Sequence, residues 1–309
     1  MDWHTAGIND LELLQKCALN NNLFANNYSA VNSILYSEKY HSRIAIESEW
    51  IYEKFCDGTK PVFCFPHNIN GNNADLKKAL DLLLKDSGEG FDTWTFTNIT
   101  AQEKELLSGL YEITEAKEIP DFADYIYLTE NLASLPGSKY SKKRNHINQF
   151  KKKYSDFKLE LITQQNLSTA YEIGQKWFEE NMAPEFIMTP SQEETIKLER
   201  KIFCTAFKNF EQFSKLAQMK GTILFVNNEP VAFCLSSLLC TDVTDIHFEK
   251  CLAAYAKDGA YAIINNEYAK TISTKYINRE EDLGIEGLRK AKNSYYPQIF
   301  LDKYEVTIK

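Results

Sequence analysis

The run TILFVNNEPVAFCLSSLL, residues 222–239, is the stretch that decides the fold class of this chain. Its β-branched and aromatic residues form two strand-like runs, Thr222–Val226 and Pro230–Leu239, and the Asn-Asn-Glu segment between them is typical of a tight turn. The runs Lys215–Met219 before it and Thr244–Cys251 after it also have strand character. The pattern predicts an antiparallel meander of consecutive strands.

Helical and strand patterns alternate on both sides of this meander. Leu76, Leu80 and Leu83, for example, have the spacing of a helix that follows an N-cap at Asn73. The patterns predict helices at 11–17, 74–85, 101–110, 139–154, 170–181, 190–210, 260–270 and 285–292, the last two lying beyond the meander. They predict further strands at 60–66, 94–97, 125–128, 157–162, 275–278 and 303–308. Such alternation is typical of an α/β or α+β protein.

Two helix starts and one domain boundary have local signals. Leu135-Pro136-Gly137-Ser138 is a cluster of helix-breaking residues, and Ser138 is a candidate N-cap for the helix that follows. Thr189, Pro190 and Gln192 form a second candidate start, with a capping residue and a first-turn proline. We expect the breaker cluster to separate a domain of residues 1–135 from one of residues 136–309.

A dense basic segment follows the expected boundary. Lys142, Lys143 and Arg144 lie near its beginning and Lys151–Lys153 near its end, without an acidic residue before Asp156. Such a helix can contact phosphate groups, and each contact adds an attraction that depends on salt. The alternative is a solvated helix face, which is what most charge runs are.

Composition excludes several classes of protein. The chain has 309 residues, of which 44% are hydrophobic and 25% charged, so it is neither disordered nor collagen-like. The net charge of −8 argues against a protein that coats nucleic acid. The seven cysteines form no Cys-x-x-Cys pair and no cluster with the five histidines, so we expect reduced thiols and no metal site.

The hydropathy pattern predicts no membrane span. The longest nearly apolar stretch is Pro230–Cys240, whereas a transmembrane helix needs about 20 residues. The N-terminal residues show no basic segment followed by an apolar run. We therefore expect a cytoplasmic protein, with peripheral association with the membrane as an open possibility.

Several motifs carry a resemblance to a known family. They are Ser141–Phe150, His247–Lys250, Lys257–Tyr261, Tyr276–Gly284, Gly287–Lys292 and Ser294–Pro297. These motifs, spread over residues 139–309, resemble the family of the C-terminal domain of phosphatidylglycerol lysyltransferase. The order of strands and helices in this half also resembles the GNAT acyltransferase fold.

The resemblance implies a fold and an activity. That family is similar to the Fem-type peptidoglycan aminoacyltransferases, so we expect an α+β protein with two tandem GNAT-like domains and mixed, mostly antiparallel sheets, the first copy being degenerate. Characterised members move a lysyl or alanyl group from aminoacyl-tRNA to a lipid hydroxyl. This chain has no counterpart of the membrane-spanning portion of the lysyltransferase, so the acceptor can be a small molecule or a lipid headgroup.

Three residues are candidates for proton transfer. Strand alternation sends His247 and Glu249 to one face and Phe248 and Lys250 to the other, which makes Glu249 a candidate base for the attacking nucleophile. The alternative for Glu249 is an ion pair with a basic side chain. The resemblance implies that Tyr295 or Tyr296 gives a proton to the leaving oxygen, and a tyrosine packed in the core is the alternative.

A polar cluster at the end of the strand 275–278 is the candidate substrate site. It consists of Asn278, Arg279, Glu280 and Asp282, with Arg289, Lys290 and Lys292 following on the next helix. Glu280 or Asp282 would bind an ammonium group of the aminoacyl substrate, and the basic residues would orient these acids or contact phosphate. Alternatively, Asp282 caps the helix that begins near Ile285.

The loop Ala253–Ala260 is where an acyl-CoA-dependent GNAT would bind pyrophosphate on backbone N–H groups. It contains a single glycine, Gly259, and Asp258 adds negative charge, so CoA is a disfavoured cofactor and no other cofactor is expected. Alternatively, Asp258 caps the helix and Gly259 permits tight packing.

The sequence therefore favours an aminoacyl or acyl transferase. A catalytically silent module that binds an amino acid, a peptide or a lipid headgroup is one alternative, and a CoA-dependent N-acetyltransferase is the other.

Overall fold

The computed structural model describes residues 1–55, 60–88, 91–182 and 190–309, and for residues 190–192 the backbone alone. Its strands are β1 (Ser42–Glu47), β2 (Trp50–Phe55), β3 (Val62–Phe63), β4 (His67–Asn68), β5 (Trp94–Ile99), β6 (Ile113–Glu118), β7 (Asp124–Leu128), β8 (Phe157–Leu161), β9 (Lys220–Val226), β10 (Glu229–Cys240), β11 (Val243–Cys251), β12 (Tyr276–Asn278), β13 (Ile299–Leu301) and β14 (Tyr304–Ile308).

The helices are α1 (Leu11–Asn21), α2 (Ala30–Leu35), α3 (Leu76–Asp86), α4 (Ala101–Ser108), α5 (Thr129–Ser134), α6 (Ser141–Lys153), α7 (Leu167–Asn181), α8 (Pro190–Lys208), α9 (Phe210–Ala217), α10 (Ala253–Ala256), α11 (Ala260–Ala269) and α12 (Glu286–Asn293). None of the helices in the described ranges is long and apolar enough to cross a membrane.

The chain divides into two compact units. Unit 1 comprises residues 1–126, 239–242 and 278–309, and unit 2 comprises residues 127–238 and 243–277. The predicted boundary after Leu135 does not coincide with this division. The physical reason is that the C-terminal residues return to unit 1, where they complete its sheet.

Unit 1 is built on a seven-stranded mixed sheet with the order β1-β2-β3-β5-β14-β6, and β4 also pairs with β2. The β3–β5 pair is parallel, whereas β1–β2, β5–β14 and β14–β6 are antiparallel. One face of the sheet packs on α3, whose leucines meet Phe63, Phe96 and Val306 in a buried core. Burial of this apolar surface stabilises the sheet that carries the site described below.

Unit 2 contains the predicted meander. Its strand order is β7-β12-β11-β10-β9-β8, and β8–β9 and β9–β10 are antiparallel. A buried cluster of aromatic rings, with Phe203 4.5 Å from Phe207 and 5.9 Å from Phe233 between centroids, packs helix α8 on this sheet. The predicted α+β class with mixed, mostly antiparallel sheets is confirmed.

Some local predictions were wrong. Lys215–Met219 is not a strand, because Phe210, Phe213 and Ala217 are the buried face of helix α9. The helix predicted to follow Asn73 begins at Leu76, and Ser138 begins a short 3-10 helix rather than capping α6. The predicted capping at Thr189 lies outside the described residues.

Candidate functional site

A cavity of about 460 Å³ lies in unit 1. Its charged and titratable lining consists of Lys39, His41, Glu53, Glu280, Glu281, Lys303 and Glu305. Its neutral polar lining consists of Asn26, Asn27, Asn32, Ser33, Ser37, Ser42, Thr97 and Asn98, and its aromatic lining of Tyr36, Tyr40, Phe55 and Phe122. The volume and the mixture of apolar walls with converging polar groups are typical of a small-molecule site.

The segment that follows β12 reaches this cavity because Asn278 fixes its path. The buried Asn278 amide donates to the Phe24 carbonyl and to Asp124, each at 2.9 Å. Its side-chain oxygen accepts the backbone N–H of Glu280 at 2.7 Å, which stabilises the left-handed conformation of Glu280 at φ 57°. Asn278 is therefore a positioning residue for Glu280.

A buried ion pair lies next to Asn278. Lys303 Nζ donates to Asp124 Oδ1 at 2.8 Å and to Asn26 Oδ1, and Asp124 Oδ2 accepts the backbone N–H of Asn26 at 2.7 Å. Burial opposes the charge on Lys303, but the nearby Asp124 and Glu281 outweigh it and raise the pKa of the lysine. The ammonium group therefore stays charged, as the pairing of buried charges requires.

Two adjacent glutamates present carboxylates to the cavity. Glu280 Oε1 accepts the side-chain amide of Asn32 at 2.8 Å, and Glu281 Oε2 accepts the amide of Asn26. Burial raises the pKa of Glu281, although Lys303 opposes this shift. An ionised carboxylate is a hydrogen-bond acceptor only, so both groups suit a ligand that donates.

Asp282 has a different environment from these two glutamates. It is fully buried, and its carboxylate accepts Tyr125 Oη at 2.6 Å, Arg289 Nε at 2.8 Å and the Gly284 N–H at 2.8 Å. Burial opposes ionisation, but these donors lower the pKa of Asp282 to about 2. Asp282 thus anchors the segment before α12 but does not cap that helix, whose N-cap is Ile285 without a side-chain hydrogen bond.

The remaining predicted residues of this segment divide into buried and exposed groups. Lys292 is buried and donates through Nζ to the backbone carbonyls of Arg279, Glu280 and Glu281, so it holds the segment in place. The Arg279 guanidinium lies 5.2 Å from the centre of the buried Tyr295 ring. Lys290 and Tyr296 are exposed.

Glu53 is a cavity residue that the sequence analysis missed. It lies on β2, opposite Ile44 of β1, and its backbone carbonyl accepts the Cys64 N–H at 3.0 Å. Burial raises the pKa of Glu53 to about 7, and hydrogen bonds from Ser42 and Cys64 oppose the rise only in part. The only signal in the sequence was a charged residue within an otherwise half-apolar strand, which by itself indicates no chemistry.

Glu249, the predicted base, lies in unit 2. Strand β11 points it towards α11, where Asn265 Nδ2 is 3.4 Å from Glu249 Oε2. On the opposite face, Lys250 Nζ pairs with Glu199 at 2.5 Å and lies 3.5 Å from the Trp177 ring centre. The predicted alternation of faces along β11 is thus present.

The loop Ala253–Ala260, where an acyl-CoA-dependent GNAT would bind pyrophosphate, carries acidic side chains in this structure. The Ala253 N–H donates to Glu180 Oε2 at 2.9 Å, and the Asp258 carboxylate accepts Lys153 at 2.7 Å and Tyr154 at 2.6 Å. Gly259 has a φ of 99°, and a Cβ there would lie 3.0 Å from the His146 carbonyl oxygen. Gly259 thus permits close packing of α11 on α6, and Asp258 makes no cap.

The basic helix α6 is partly neutralised within unit 2. Arg144 donates to the carbonyls of Leu135 and Gly137, at 2.5 and 2.6 Å, so it stabilises the preceding turn. Lys151 pairs with Glu267 at 3.3 Å. Lys142 is exposed and Lys143 half-buried.

Known proteins share this fold. The family model described as phosphatidylglycerol lysyltransferase, C-terminal, matches residues 24–307. A conserved protein of unknown function from Bacteroides thetaiotaomicron is 31% identical, with complete coverage of both chains and a TM-score of 0.87.

More distant structures extend the comparison. L-PGS from Bacillus licheniformis is 12% identical, with 98% of this chain and 92% of that one covered and a TM-score of 0.63. FemX is 9% identical, with 100% and 98% covered and a TM-score of 0.53. At such identities the likeness concerns the fold, and it confirms the expected GNAT-like architecture.

Proposed function

We propose that this chain, which belongs to the phosphatidylglycerol lysyltransferase C-terminal family, transfers an aminoacyl group from aminoacyl-tRNA to an acceptor that carries a hydroxyl or amino group. The acceptor is a small molecule or a lipid headgroup.

One observation supports this proposal above the others. The segment Asn278–Lys292, which carries the family motif, is held by buried hydrogen bonds so that Glu280 and Glu281 line a cavity of about 460 Å³. An aminoacyl ester carries an ammonium group next to its reactive carbonyl. A carboxylate on a fixed backbone can bind that ammonium by a charge-assisted hydrogen bond and so orient the ester.

The tRNA would be contacted by the basic helix α6. Lys142 and Lys143 are the residues that we assign to phosphate contact, while Arg144 positions the turn at Leu135–Gly137 that precedes the helix. A phosphate contact requires a cation that can approach solvent, and the exposed Lys142 meets this requirement. Gly259 is assigned to packing rather than to phosphate.

Three residues are candidates for proton transfer within this proposal. Glu249, whose carboxylate lies near the Asn265 amide in unit 2, stays the predicted base of the reaction. Tyr295 or Tyr296, of which the first is buried and the second 44% exposed, would give a proton to the departing ribose oxygen. Tyr295 packs against the Arg279 guanidinium and would support it.

A transfer assay tests the proposal. Purified protein is incubated with tRNA carrying a radiolabelled lysyl or alanyl group, together with phosphatidylglycerol vesicles or with a pool of soluble amines and alcohols. We expect label to move from tRNA to one acceptor, and Glu280→Gln to lower kcat/KM about 10- to 100-fold, the value of one charge-assisted hydrogen bond. Glu286→Gln is the matched control, because Glu286 is an exposed glutamate of the same segment outside the cavity.

Two results would contradict the proposal. Label that stays on the tRNA with every acceptor would exclude transfer under these conditions and favour a silent binding module. Equal activities of Glu280→Gln and Glu286→Gln would show that Glu280 does not orient the substrate.

A further inference from the structure

Glu53 differs from two other carboxylates of unit 1 in the charge of its hydrogen-bond partners. Asp124 faces the ammonium of Lys303, and Asp282 faces the guanidinium of Arg289. The side-chain hydrogen bonds that reach Glu53 come from Ser42 and Cys64, which are both neutral. Glu53 is therefore a half-buried carboxyl group with neutral hydrogen-bond donors.

The position of Glu53 makes its carboxyl accessible to a ligand. Strand β2 places it in the wall of the cavity of about 460 Å³, together with Phe55, and Glu280 lines the same cavity. It also borders a smaller cavity of about 40 Å³, which is lined by Cys64 and His67. A ligand in the larger cavity can thus reach the Glu53 carboxyl without unfolding any element.

The charged groups around Glu53 leave the cavity negative. On the cavity side they are Lys39, His41, Glu280, Glu281, Lys303 and Glu305. On the side of the smaller cavity, His67 pairs with Glu103 at 3.0 Å. Lys303 forms an ion pair with Asp124. Lys39 lies over the Tyr40 ring, with its Nζ 4.7 Å from the ring centre.

A carboxyl group that is partly withdrawn from water, with neutral partners, holds its proton to a higher pH than an exposed one does. Its charged form is disfavoured by burial, and a cation that enters the cavity would supply the missing compensation. The pKa of Glu53, about 7, means that the group is close to half protonated at neutral pH. A cation that binds beside Glu53 would therefore favour its ionised form.

We propose that Glu53 and Glu280 make this cavity a binding site for an organic ammonium group, and that Glu53 releases its proton to solvent when the cation binds. The step is balanced: the neutral carboxyl and the ammonium ion give a carboxylate–ammonium pair and one proton, which the buffer takes up. The inference deepens the proposed function and rests on it, because the ammonium of an aminoacyl group is the cation that the transferase would bind here.

Isothermal titration calorimetry with 1,5-diaminopentane tests this inference on the whole protein. The probe stays fully charged between pH 6 and 8, so any pH dependence of binding in this range belongs to the protein. If the ionised form of Glu53 is the competent one, its population rises from about one tenth to about nine tenths, and the apparent Kd falls about tenfold. Measured at pH 7 in two buffers of different ionisation enthalpy, binding should release a fraction of a proton.

Three variants refine the test. Glu53→Gln keeps the hydrogen-bonding shape without the proton, so the pH dependence and the proton release should both disappear. Glu280→Gln should weaken binding at every pH and leave the proton release in place. The exposed Glu115→Gln, on β6, should behave as the wild type does.

The outcomes are distinct from those of the transfer assay. Absence of diamine binding at pH 8, or binding by the wild type without pH dependence and proton release, would overturn the inference. Proton-coupled binding by a protein that transfers no aminoacyl group would support the inference and contradict the proposed transferase. Transfer without diamine binding would contradict the inference and support the proposed transferase.

Discussion

Lys303 Nζ lies 2.8 Å from Asp124 Oδ1, with the two side chains 2% and 0% exposed. The pair joins the residue that precedes β14 to the first residue of β7, and Asn26 and Asn278 complete its hydrogen bonds. The wall of the cavity that contains Glu280 and Glu281 is therefore stabilised by a buried charge pair close to the C-terminus.

The first prediction concerns this pair. Lys303→Met leaves the Asp124 carboxylate buried without its cation, so we expect the free energy of unfolding to fall by about 3–5 kcal/mol. Urea denaturation followed by circular dichroism measures this change. Lys78→Met is the control, since Lys78 pairs with Asp75 on an exposed helix face and its loss should cost much less. Equal losses in both variants would contradict the role given to the buried pair.

The second prediction concerns pH and Asp282. The folded-state pKa of about 2 lies below the value of about 3.9 in an unfolded chain, so the ionised carboxylate stabilises the fold above about pH 5. This contribution is lost as the pH falls towards 2. Because Arg289 is 42% exposed and partly screened by solvent, we expect about 1–2 kcal/mol.

Asp282→Asn should remove that contribution at neutral pH and flatten the fall in stability between pH 5 and pH 2. Denaturation midpoints measured across this range check both points. Parallel curves for the variant and the wild type would assign the acid sensitivity to other carboxylates.

The third prediction compares two glycines. Gly259→Ala forces a side chain into left-handed backbone and places a Cβ 3.0 Å from the His146 carbonyl, so it should lower stability by about 1 kcal/mol or more. Gly287→Ala lies in helix α12 with open space around the new Cβ, so it should raise stability by about 0.4–1 kcal/mol. Thermal unfolding of the two variants gives the comparison. A destabilised Gly287→Ala would mean that α12 is constrained by something other than its own helix propensity.

The fourth prediction concerns tRNA. Charge reversal of Lys142 and Lys143 should weaken binding of tRNA and flatten the plot of log K against log salt by about 0.7–0.9 for each lost contact. Reversal of Lys151 and Lys152 on the same helix is the control and should matter less, since Lys151 already pairs with Glu267. Filter binding over a range of salt concentrations measures both slopes. A wild type that binds no tRNA at low salt would remove the basis for this assignment.

The fifth prediction is that CoA does not bind with micromolar affinity. The Glu180 carboxylate accepts the Ala253 N–H, so the loop presents a negative charge where a pyrophosphate would need a free donor. Calorimetric titration with acetyl-CoA checks this expectation. A micromolar Kd would instead move the protein into the CoA-dependent acetyltransferases.

The segment around β12 and α12 could be predicted from sequence because its signals are local. A β-branched and aromatic run, a cluster of acids and a periodic helix follow one another within 276–292, and the structure has β12 and α12 there. The role of Asp282 could not be decided in the same way. Whether it caps a helix or binds a ligand depends on Tyr125, which is 157 residues away in the chain.

The cavity itself was not predictable from local patterns. Asn32 contacts Glu280 across 248 residues of sequence, and Glu53 faces the cavity only because β2 takes its place in a sheet that β14 completes. Sequence patterns also mislead where one segment fits the spacing of a strand as well as that of a helix. Lys215–Met219 was predicted as a strand although the spacing of Phe210, Phe213 and Ala217 fits a helix.

The proposed transfer requires that the cavity of unit 1 bind the ammonium group of an aminoacyl substrate. A crystal structure with a stable amide analogue of aminoacyl-adenosine, which mimics the charged end of a tRNA, tests it most directly. We predict that the analogue lies in the cavity with its ammonium nitrogen within hydrogen-bond distance of the Glu280 carboxylate. An analogue bound elsewhere, with the cavity unchanged, would contradict the claim.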